Sequence, residues 1–184
     1  GDRVTLITLD TVASDVYQVG PYVERVGLGL MRLSGNSLHA GWNNAQRIRG
    51  LRQAMRAATP DCVVSITDRM NVMVLLAARG LESPVVIAER SDPRHQSMGE
   101  IWEHLRKWTY PRCTAAVAQT ESVAQHLRTI VGRRPVYVIP NGVRAPEITT
   151  ADVPDRDERT IVAMGRLSPE KGFDLLIDAF ARLA

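Results

Sequence analysis

The stretch Cys62–Arg90, CVVSITDRMNVMVLLAARGLESPVVIAER, decides the fold class. It contains two short apolar runs rich in β-branched residues, Cys62–Thr67 and Val85–Glu89, on either side of a segment with helical spacing that ends at Gly80. A strand, a helix and a second strand in this order predict a right-handed βαβ unit with parallel strands. Asn71 stands just before the apolar helical positions and is of a type that caps helices.

The same alternation runs along the rest of the chain. The other predicted strands are Val4–Leu9, Val23–Leu28, Ala115–Gln119, Val136–Ile139 and Ile161–Met164. The other predicted helices are Asn43–Ala58, Gly99–Tyr110, Glu121–Val131 and Phe173–Leu183. In the Gly99–Tyr110 helix, the stripe formed by Ile101, Leu105 and Trp108 is expected to face inward. Strands that are apolar on both faces predict an α/β fold with a Rossmann-like, doubly wound parallel sheet covered by helices on each side.

A polar segment divides the chain into two predicted domains. Residues 145–160, APEITTADVPDRDERT, lack an apolar period and are rich in Pro, Thr, Asp and Glu. We therefore expect a domain at 1–145, a linker at 146–160 and the start of a second domain at 161–184. Gly1 directly before an apolar strand suggests an earlier βα unit, and one βα pair at the other end cannot bury a core. The chain is predicted to be a fragment that lacks both ends of its protein.

Composition excludes several classes of protein. The 184 residues carry a formal charge of +3 without a clustered basic patch or stacking motif, which argues against a nucleic-acid partner. Cys62 and Cys113 lack CxxC spacing and are interpreted as reduced core thiols of a cytosolic protein. No apolar run reaches the length of a membrane span, so a cytoplasmic, soluble chain is expected. The histidines show no metal-binding or triad spacing; they are His39, His95, His104 and His126.

The stretch Met164–Phe173, MGRLSPEKGF, lies where a predicted strand turns into a predicted helix. Ligands bind at the carboxyl ends of parallel strands, where the first helical N–H groups are unpaired. Gly165 allows close approach of a ligand, while Arg166 and Lys171 supply two positive charges, so the stretch suits a diphosphate group. The alternative is a solvated turn in which Pro169 and Glu170 start the helix.

Four stretches together resemble retaining glycosyltransferases of family 4, which have the GT-B fold. VAMGRLSPEKGFDLLIDAFARL (Val162–Leu183) is similar to the start of their C-terminal domain, and VYVIPNGV (Val136–Val143) to the segment before their interdomain linker. SITDRMNVMVLLAARG (Ser65–Gly80) and PVVIAERSDPR (Pro84–Arg94) resemble the subgroup that builds bacterial polysaccharides and lipid-linked oligosaccharides.

The resemblance implies an acceptor-binding domain at 1–145 and the beginning of a nucleotide-sugar-binding domain at 161–184. It implies that Arg166 and Lys171 contact the donor diphosphate as a hexose or N-acetylhexosamine passes to a growing, lipid-linked glycan. In the family the leaving phosphate is proposed to take the acceptor proton, and no metal or other cofactor is expected. The family's acidic motif and its glycine-rich first loop are absent from the sequence, so this fragment is expected to be inactive alone.

Further polar residues are predicted to line the sugar or acceptor cleft because they follow two predicted strands. Asp68 is expected to bind a sugar hydroxyl, and Asn71 is either a cleft residue or a plain helix cap. Glu89, Arg90 and Asp92 stand where many relatives have a histidine loop, as in the polysaccharide-building subgroup. Their alternative is an Asp92-Pro93 turn with a surface pair between Glu89 and Arg90.

Two groups of basic residues are compatible with a membrane partner. One group is Arg49, Arg52 and Arg56; the other combines Trp102, Arg106, Lys107 and Trp108. They are interpreted either as solvated cationic faces or as a surface that rests on anionic lipid headgroups on the inner side of the cytoplasmic membrane. A different class of function also stays open at this point, namely a non-catalytic, periplasmic-type or flavodoxin-like module that binds a small ligand.

Overall fold

The computed structural model describes residues 2–16, 18–31, 37–94, 96–142 and 161–182. The chain separates into two compact units, residues 1–142 and residues 143–184. The predicted linker at 146–160 and His95 lie outside the described residues.

Parallel strands form two sheets in the first unit. The strands are β1 (Val4–Thr8), β2 (Val23–Gly27), β3 (Val63–Ile66), β4 (Val85–Glu89), β5 (Ala115–Ala118) and β6 (Val136–Val138). β1 pairs with β2, and the other four form a sheet in the order β3-β4-β5-β6. All pairs are parallel, with Ser65 beside Ile87 and Ile87 beside Ala116 in register. The carboxyl ends of β3 to β6 therefore meet at one edge of the sheet.

Helices alternate with these strands, which confirms the predicted α/β class. They are α1 (Ser37–Ala58), α2 (Asp68–Ala77), α3 (Glu100–Thr109), α4 (Glu121–Val131) and, in the second unit, α5 (Phe173–Ala181). Helix α4 begins at a regular cap, where the Thr120 hydroxyl accepts a hydrogen bond from the Val123 N–H.

The core lies between the four-stranded sheet and the helices that cover one of its faces. α2 packs on β3 and β4, whereas α4 packs on β5 and β6. Ile87 and Ala116 from the sheet, Val72 from α2 and Leu127 from α4 are fully buried there. Helix α3 packs instead against α2, α4 and the short 3-10 helix Tyr110–Arg112. α3 therefore forms an outer layer of the unit.

Three sequence expectations need correction. In the predicted stripe of α3, Leu105 packs against the core, but Ile101 is 76% exposed and Trp108 44% exposed. Strand β3 is not covered on both faces, because Val64 and Ile66 are 64% and 50% exposed. Residues 161–164 form no strand, since the described part of the second unit holds no second strand with which they could exchange hydrogen bonds.

Candidate functional site

A cavity opens at the carboxyl ends of β4, β5 and β6. Its volume is about 320 Å³, and its walls are Ala88, Glu89, Arg90, Val117, Gln119, Ile139, Pro140, Asn141 and Gly142. The Gln119 side-chain amide donates a 2.7 Å hydrogen bond to Asn141 Oδ1, which joins the ends of two neighbouring strands. The cavity offers amide groups from Gln119 and Asn141 together with the exposed Arg90. Such groups bind hydroxyl and phosphate oxygens.

The residues between β3 and α2 adopt an unusual backbone at the same edge of the sheet. Thr67 has φ 80° and ψ 153°, a region that L-residues rarely occupy. Its N–H donates to the Ala88 carbonyl at 3.1 Å, and its carbonyl accepts from the Asn71 N–H at 2.8 Å. These two hydrogen bonds hold Thr67 in place, so that Asp68 becomes the first residue of α2 at the mouth of the strand ends. The Asp68 carboxylate accepts a 2.6 Å hydrogen bond from the Arg69 N–H.

A buried chain of hydrogen bonds lies behind this edge. The Asn71 side-chain amide donates to the Ala88 carbonyl at 3.1 Å and to the Tyr110 hydroxyl at 3.3 Å. Tyr110 in turn donates a 2.7 Å hydrogen bond to Glu89 Oε2. Asn71 and Tyr110 are completely buried and Glu89 is 1% exposed. Asn71 thus lies inside α2 and ties α2 to β4, so its interpretation as a helix cap is wrong.

Burial raises the pKa of two groups in this cluster, Glu89 and Tyr110. Desolvation raises the pKa of the Glu89 carboxyl, and this effect exceeds the opposing influence of the Tyr110 hydrogen bond and the Arg106 guanidinium. Desolvation and the neighbouring Glu89 charge likewise raise the pKa of Tyr110. Arg106 Nη2 lies 3.9 Å from Glu89 Oε2, but its short ion pair, at 2.9 Å, is with Glu103. Glu89 Oε1 has no hydrogen-bond partner among the protein atoms described.

The loop after β4 is closed by a local turn. Asp92 accepts from the backbone N–H of Arg94 at 3.0 Å and forms a 2.6 Å ion pair with the Arg94 guanidinium. Arg94 also donates to the Ser122 hydroxyl of α4 at 2.7 Å. The alternative interpretation of this loop, a turn at Asp92-Pro93, is therefore correct for the local backbone. A surface pair between Glu89 and Arg90 is wrong, because Glu89 is buried beneath the sheet edge.

The second unit holds the three residues predicted to bind the diphosphate. Arg166 and Lys171 are exposed. A Cβ added to Gly165 would lie 3.3 Å from Phe173 Cζ and 3.5 Å from Lys171 Cγ, so this glycine packs directly against the stem of Lys171. A short 3-10 helix, Pro169–Lys171, leads to Gly172 with φ 62° and then to α5. The helix thus begins at Phe173, as predicted from the sequence.

The structure brings several of the predicted residues together. Glu89 and Arg90 line one cavity, Asn71 and Glu89 share Tyr110, and Asp68 is close enough for its charge to raise the pKa of Glu89. Sequence reasoning missed Gln119, Asn141 and Tyr110. Gln119 directly follows β5 and Asn141 comes three residues after β6, so the rule used for Asp68 and Arg90 would also have found them. Tyr110 offered no signal of its own, because its partners are distant in sequence.

Other interpretations from the sequence change as well. Arg106 is 2% exposed and cannot belong to a solvated cationic face. The Arg52 guanidinium binds the C-terminal end of α2 and the residues after it, where it donates to the carbonyls of Ala77 and Arg79. Cys113 is buried, and burial raises the pKa of its thiol to about 11, but Cys62 is exposed and is no core residue. Within the described ranges, no three His, Cys, Asp or Glu residues cluster in a way that could hold a metal ion.

Residues 1–145 match the profile of Glycosyltransferase Family 4. The chain belongs to this family. The match spans the whole first unit, including the cavity and the buried cluster, and it confirms the resemblance noted in the sequence.

One curated relative of this family 4 chain is a Campylobacter jejuni protein. It is GalNAc-alpha-(1->4)-GalNAc-alpha-(1->3)-diNAcBac-PP-undecaprenol alpha-1,4-N-acetyl-D-galactosaminyltransferase, from subsp. jejuni serotype O:2, strain ATCC 700819 / NCTC 11168. The two sequences are 27% identical over 133 residues, which are 72% of this chain and 36% of the relative. The chain therefore spans little more than a third of the length of that enzyme.

Among solved structures, UDP-N-acetylglucosamine 2-epimerase from Rickettsia bellii is similar with a TM-score of 0.46 and 15% sequence identity. The similarity covers 61% of this chain and 29% of the epimerase.

We expect Thr67→Gly to stabilise the family 4 unit. Glycine adopts the observed φ without the strain of about 1–3 kcal/mol that a threonine bears there, and its extra backbone entropy offsets about 0.5–1 kcal/mol of that gain. The free energy of unfolding from urea titration should rise by about 1 kcal/mol. Thr120→Gly is the matched control, because Thr120 is also an N-cap but has an ordinary φ of −137°. An equal change in both variants would contradict strain at Thr67.

We expect the stability of this unit to depend on pH through Glu89. Because the folded-state pKa of its carboxyl is raised, its contribution to stability is fully present below the unfolded pKa of about 4.3 and is lost as pH rises through the folded value. Urea titrations from pH 4 upward should show that Glu89→Gln removes this downward slope, which cannot exceed about 1.4 kcal/mol per pH unit. Tyr110→Phe should extend the slope to higher pH, because the lost hydrogen bond had lowered the pKa. Equal slopes in all three proteins would refute the assignment.

Proposed function

We propose that this family 4 chain belongs to a retaining glycosyltransferase that moves a hexose or N-acetylhexosamine from a nucleoside-diphosphate sugar to a growing, lipid-linked glycan. The observation that carries the proposal is the family match over residues 1–145. The first unit would bind the acceptor, and residues 161–184 would begin the domain that binds the donor.

The sheet edge of the first unit supports the acceptor role. Glycans present many hydroxyl groups, which need side chains that both donate and accept hydrogen bonds. Gln119 and Asn141 supply such amides inside the cavity, and Arg90 and Asp68 supply opposite charges around the strand ends. Asn71 and Glu89 are buried behind these groups, so their share in binding a sugar would include holding β4 and α2 in register. Asp92 would act from the loop that it closes with Arg94.

The turn of the second unit supports the donor role. Breaking the bond between the sugar and the diphosphate leaves negative charge on the phosphate oxygens, and nearby cations stabilise that charge. Arg166 can bind two oxygens with its planar guanidinium, whereas Lys171 supplies a mobile ammonium group. Gly165 keeps the surface beside the Lys171 stem free of a side chain. In this mechanism the leaving phosphate accepts the proton of the attacking hydroxyl, so no side-chain base is assigned and no metal or cofactor is invoked.

The relative's name supports a lipid-linked acceptor, because that enzyme acts on a glycan carried by undecaprenol diphosphate. Such an acceptor is anchored in a bilayer. No helix in the described parts of this chain has both the length and the apolar character to cross a membrane. Access to the acceptor would then come from peripheral contact with the cytoplasmic membrane surface.

Removing either cation of the proposed donor site should abolish most turnover. In the complete enzyme, Arg166→Ala and Lys171→Ala should each lower kcat/KM by about 100-fold or more, the loss expected when a transition-state charge loses one partner. The assay follows transfer of labelled sugar from a panel of nucleoside-diphosphate sugars to a short-chain polyprenyl-diphosphate glycan.

Arg182→Ala is the matched control, since Arg182 is an exposed cation directly after α5 in the same unit. It should keep full activity. The thermal midpoints of all three variants should match that of the parent protein, because the side chains are on the surface. Retained turnover in both Arg166→Ala and Lys171→Ala would refute the donor-site assignment.

A further inference from the structure

Helix α3 presents an apolar face to the outside of the first unit. Ile101, His104, Leu105 and Trp108 share one side of the helix by their spacing of three and four residues. Together with Glu100 they line a shallow depression of about 500 Å³. Ile101 is 76% exposed, although isoleucine is usually among the most buried residue types. We name these four residues the α3 outer face.

The orientation of the α3 outer face is fixed from inside the protein. Arg106, on the opposite side of α3, is 2% exposed, and Thr109, between the two sides, is 1% exposed. Arg106 forms a 2.9 Å ion pair with Glu103 and lies 3.9 Å from Glu89. Turning α3 to bury Ile101 would move Arg106 away from Glu89 and out of its buried position. The apolar stripe is therefore held outward.

Cations lie beside Trp108 at one end of this face. The guanidinium carbons of Arg112 and Arg79 lie 4.1 Å and 5.4 Å from the centre of the Trp108 ring. Lys107, next to Trp108, is exposed. Glu100 is the acidic residue in the lining of the depression. Three positive charges thus accompany a half-exposed tryptophan and an exposed isoleucine.

We propose that the α3 outer face docks on an anionic bilayer surface. Tryptophan and arginine are amphipathic groups suited to the boundary between headgroups and acyl chains, where Ile101 could enter the apolar layer. Anionic headgroups attract basic residues near a membrane surface. A second copy of the chain is the other candidate occupant of this face, and the dimer measurement below tests it.

A lipid-linked acceptor would be met at a membrane surface, and in that respect the inference rests on the proposed function. Helix α3 starts at Glu100, directly after the loop that carries Arg90 and Asp92 at the edge of the sheet. The Ile101 end of the face therefore lies toward the carboxyl ends of the strands, whereas Arg79 and Arg112 precede β4 and β5 and lie toward the opposite edge of the sheet. Membrane binding is nevertheless measured without turnover, so failure of the docking proposal and failure of the transferase proposal give separate results.

Vesicle sedimentation tests the docking surface directly. The chain should bind vesicles of phosphatidylcholine with phosphatidylglycerol at low salt, bind pure phosphatidylcholine weakly, and dissociate as salt rises. Neutralising Arg79 and Arg112 together, as Arg79→Gln/Arg112→Gln, should lower the partition coefficient about 25-fold, which corresponds to about 1 kcal/mol for each cation. Ile101→Ser should weaken binding at every salt concentration, because it removes apolar rather than electrostatic attraction.

The matched control is Arg49→Gln/Arg56→Gln, which removes two exposed cations from α1. It should retain nearly all binding, and circular dichroism should show that every variant is folded. An equal loss in both double variants would assign binding to net charge alone and overturn the proposal. Absence of binding to the anionic vesicles would overturn it too, as would a dimer in sedimentation velocity that Ile101→Ser dissociates.

Discussion

The hydrogen bond from the Tyr110 hydroxyl to Glu89 Oε2 is the contact on which the first unit depends. It ends β4 with a carboxyl group inside the protein rather than in solvent, and it places Tyr110 where Asn71 can bind it from α2. One phenol hydroxyl thus joins a strand, the helix before it and the segment after α3. This buried cluster packs behind the sheet edge that carries Arg90. It also fixes the backbone at Thr67, because the Asn71 N–H donates to the Thr67 carbonyl.

The same cluster lies beside the buried side of α3, where Arg106 is enclosed while Ile101 is exposed. A helix with apolar residues at 101, 105 and 108 is expected to bury them. The opposite side instead carries Arg106, whose charge lies next to Glu103 and close to Glu89. The Arg106 side of α3 is the buried side, which leaves Ile101 on the exposed one.

Local pattern was sufficient to predict the parallel α/β class and the bounds of β4 and α4, because apolar runs and helical spacing are properties of neighbouring residues. It also located Arg90 at the sheet edge. It failed for Asn71, Arg106 and Ile101, whose environments are set by contacts between residues far apart in sequence. The motif around Arg166 and Lys171 was recognisable from the sequence. The strand predicted before it was not found, because the described part of the second unit holds no other strand with which residues 161–164 could pair.

From the exposed side of β3 we expect a tendency of the chain to associate in concentrated solution. Among the described residues, β3 pairs only with β4, which leaves the N–H and C=O groups of its other side without strand partners. Val64 and Ile66 add two exposed apolar side chains on one face of the same strand. Open strand borders of this kind recruit further strands from other molecules and seed precipitation. A lysine placed at position 64 or 66 would introduce the charge repulsion with which natural sheets keep such borders apart.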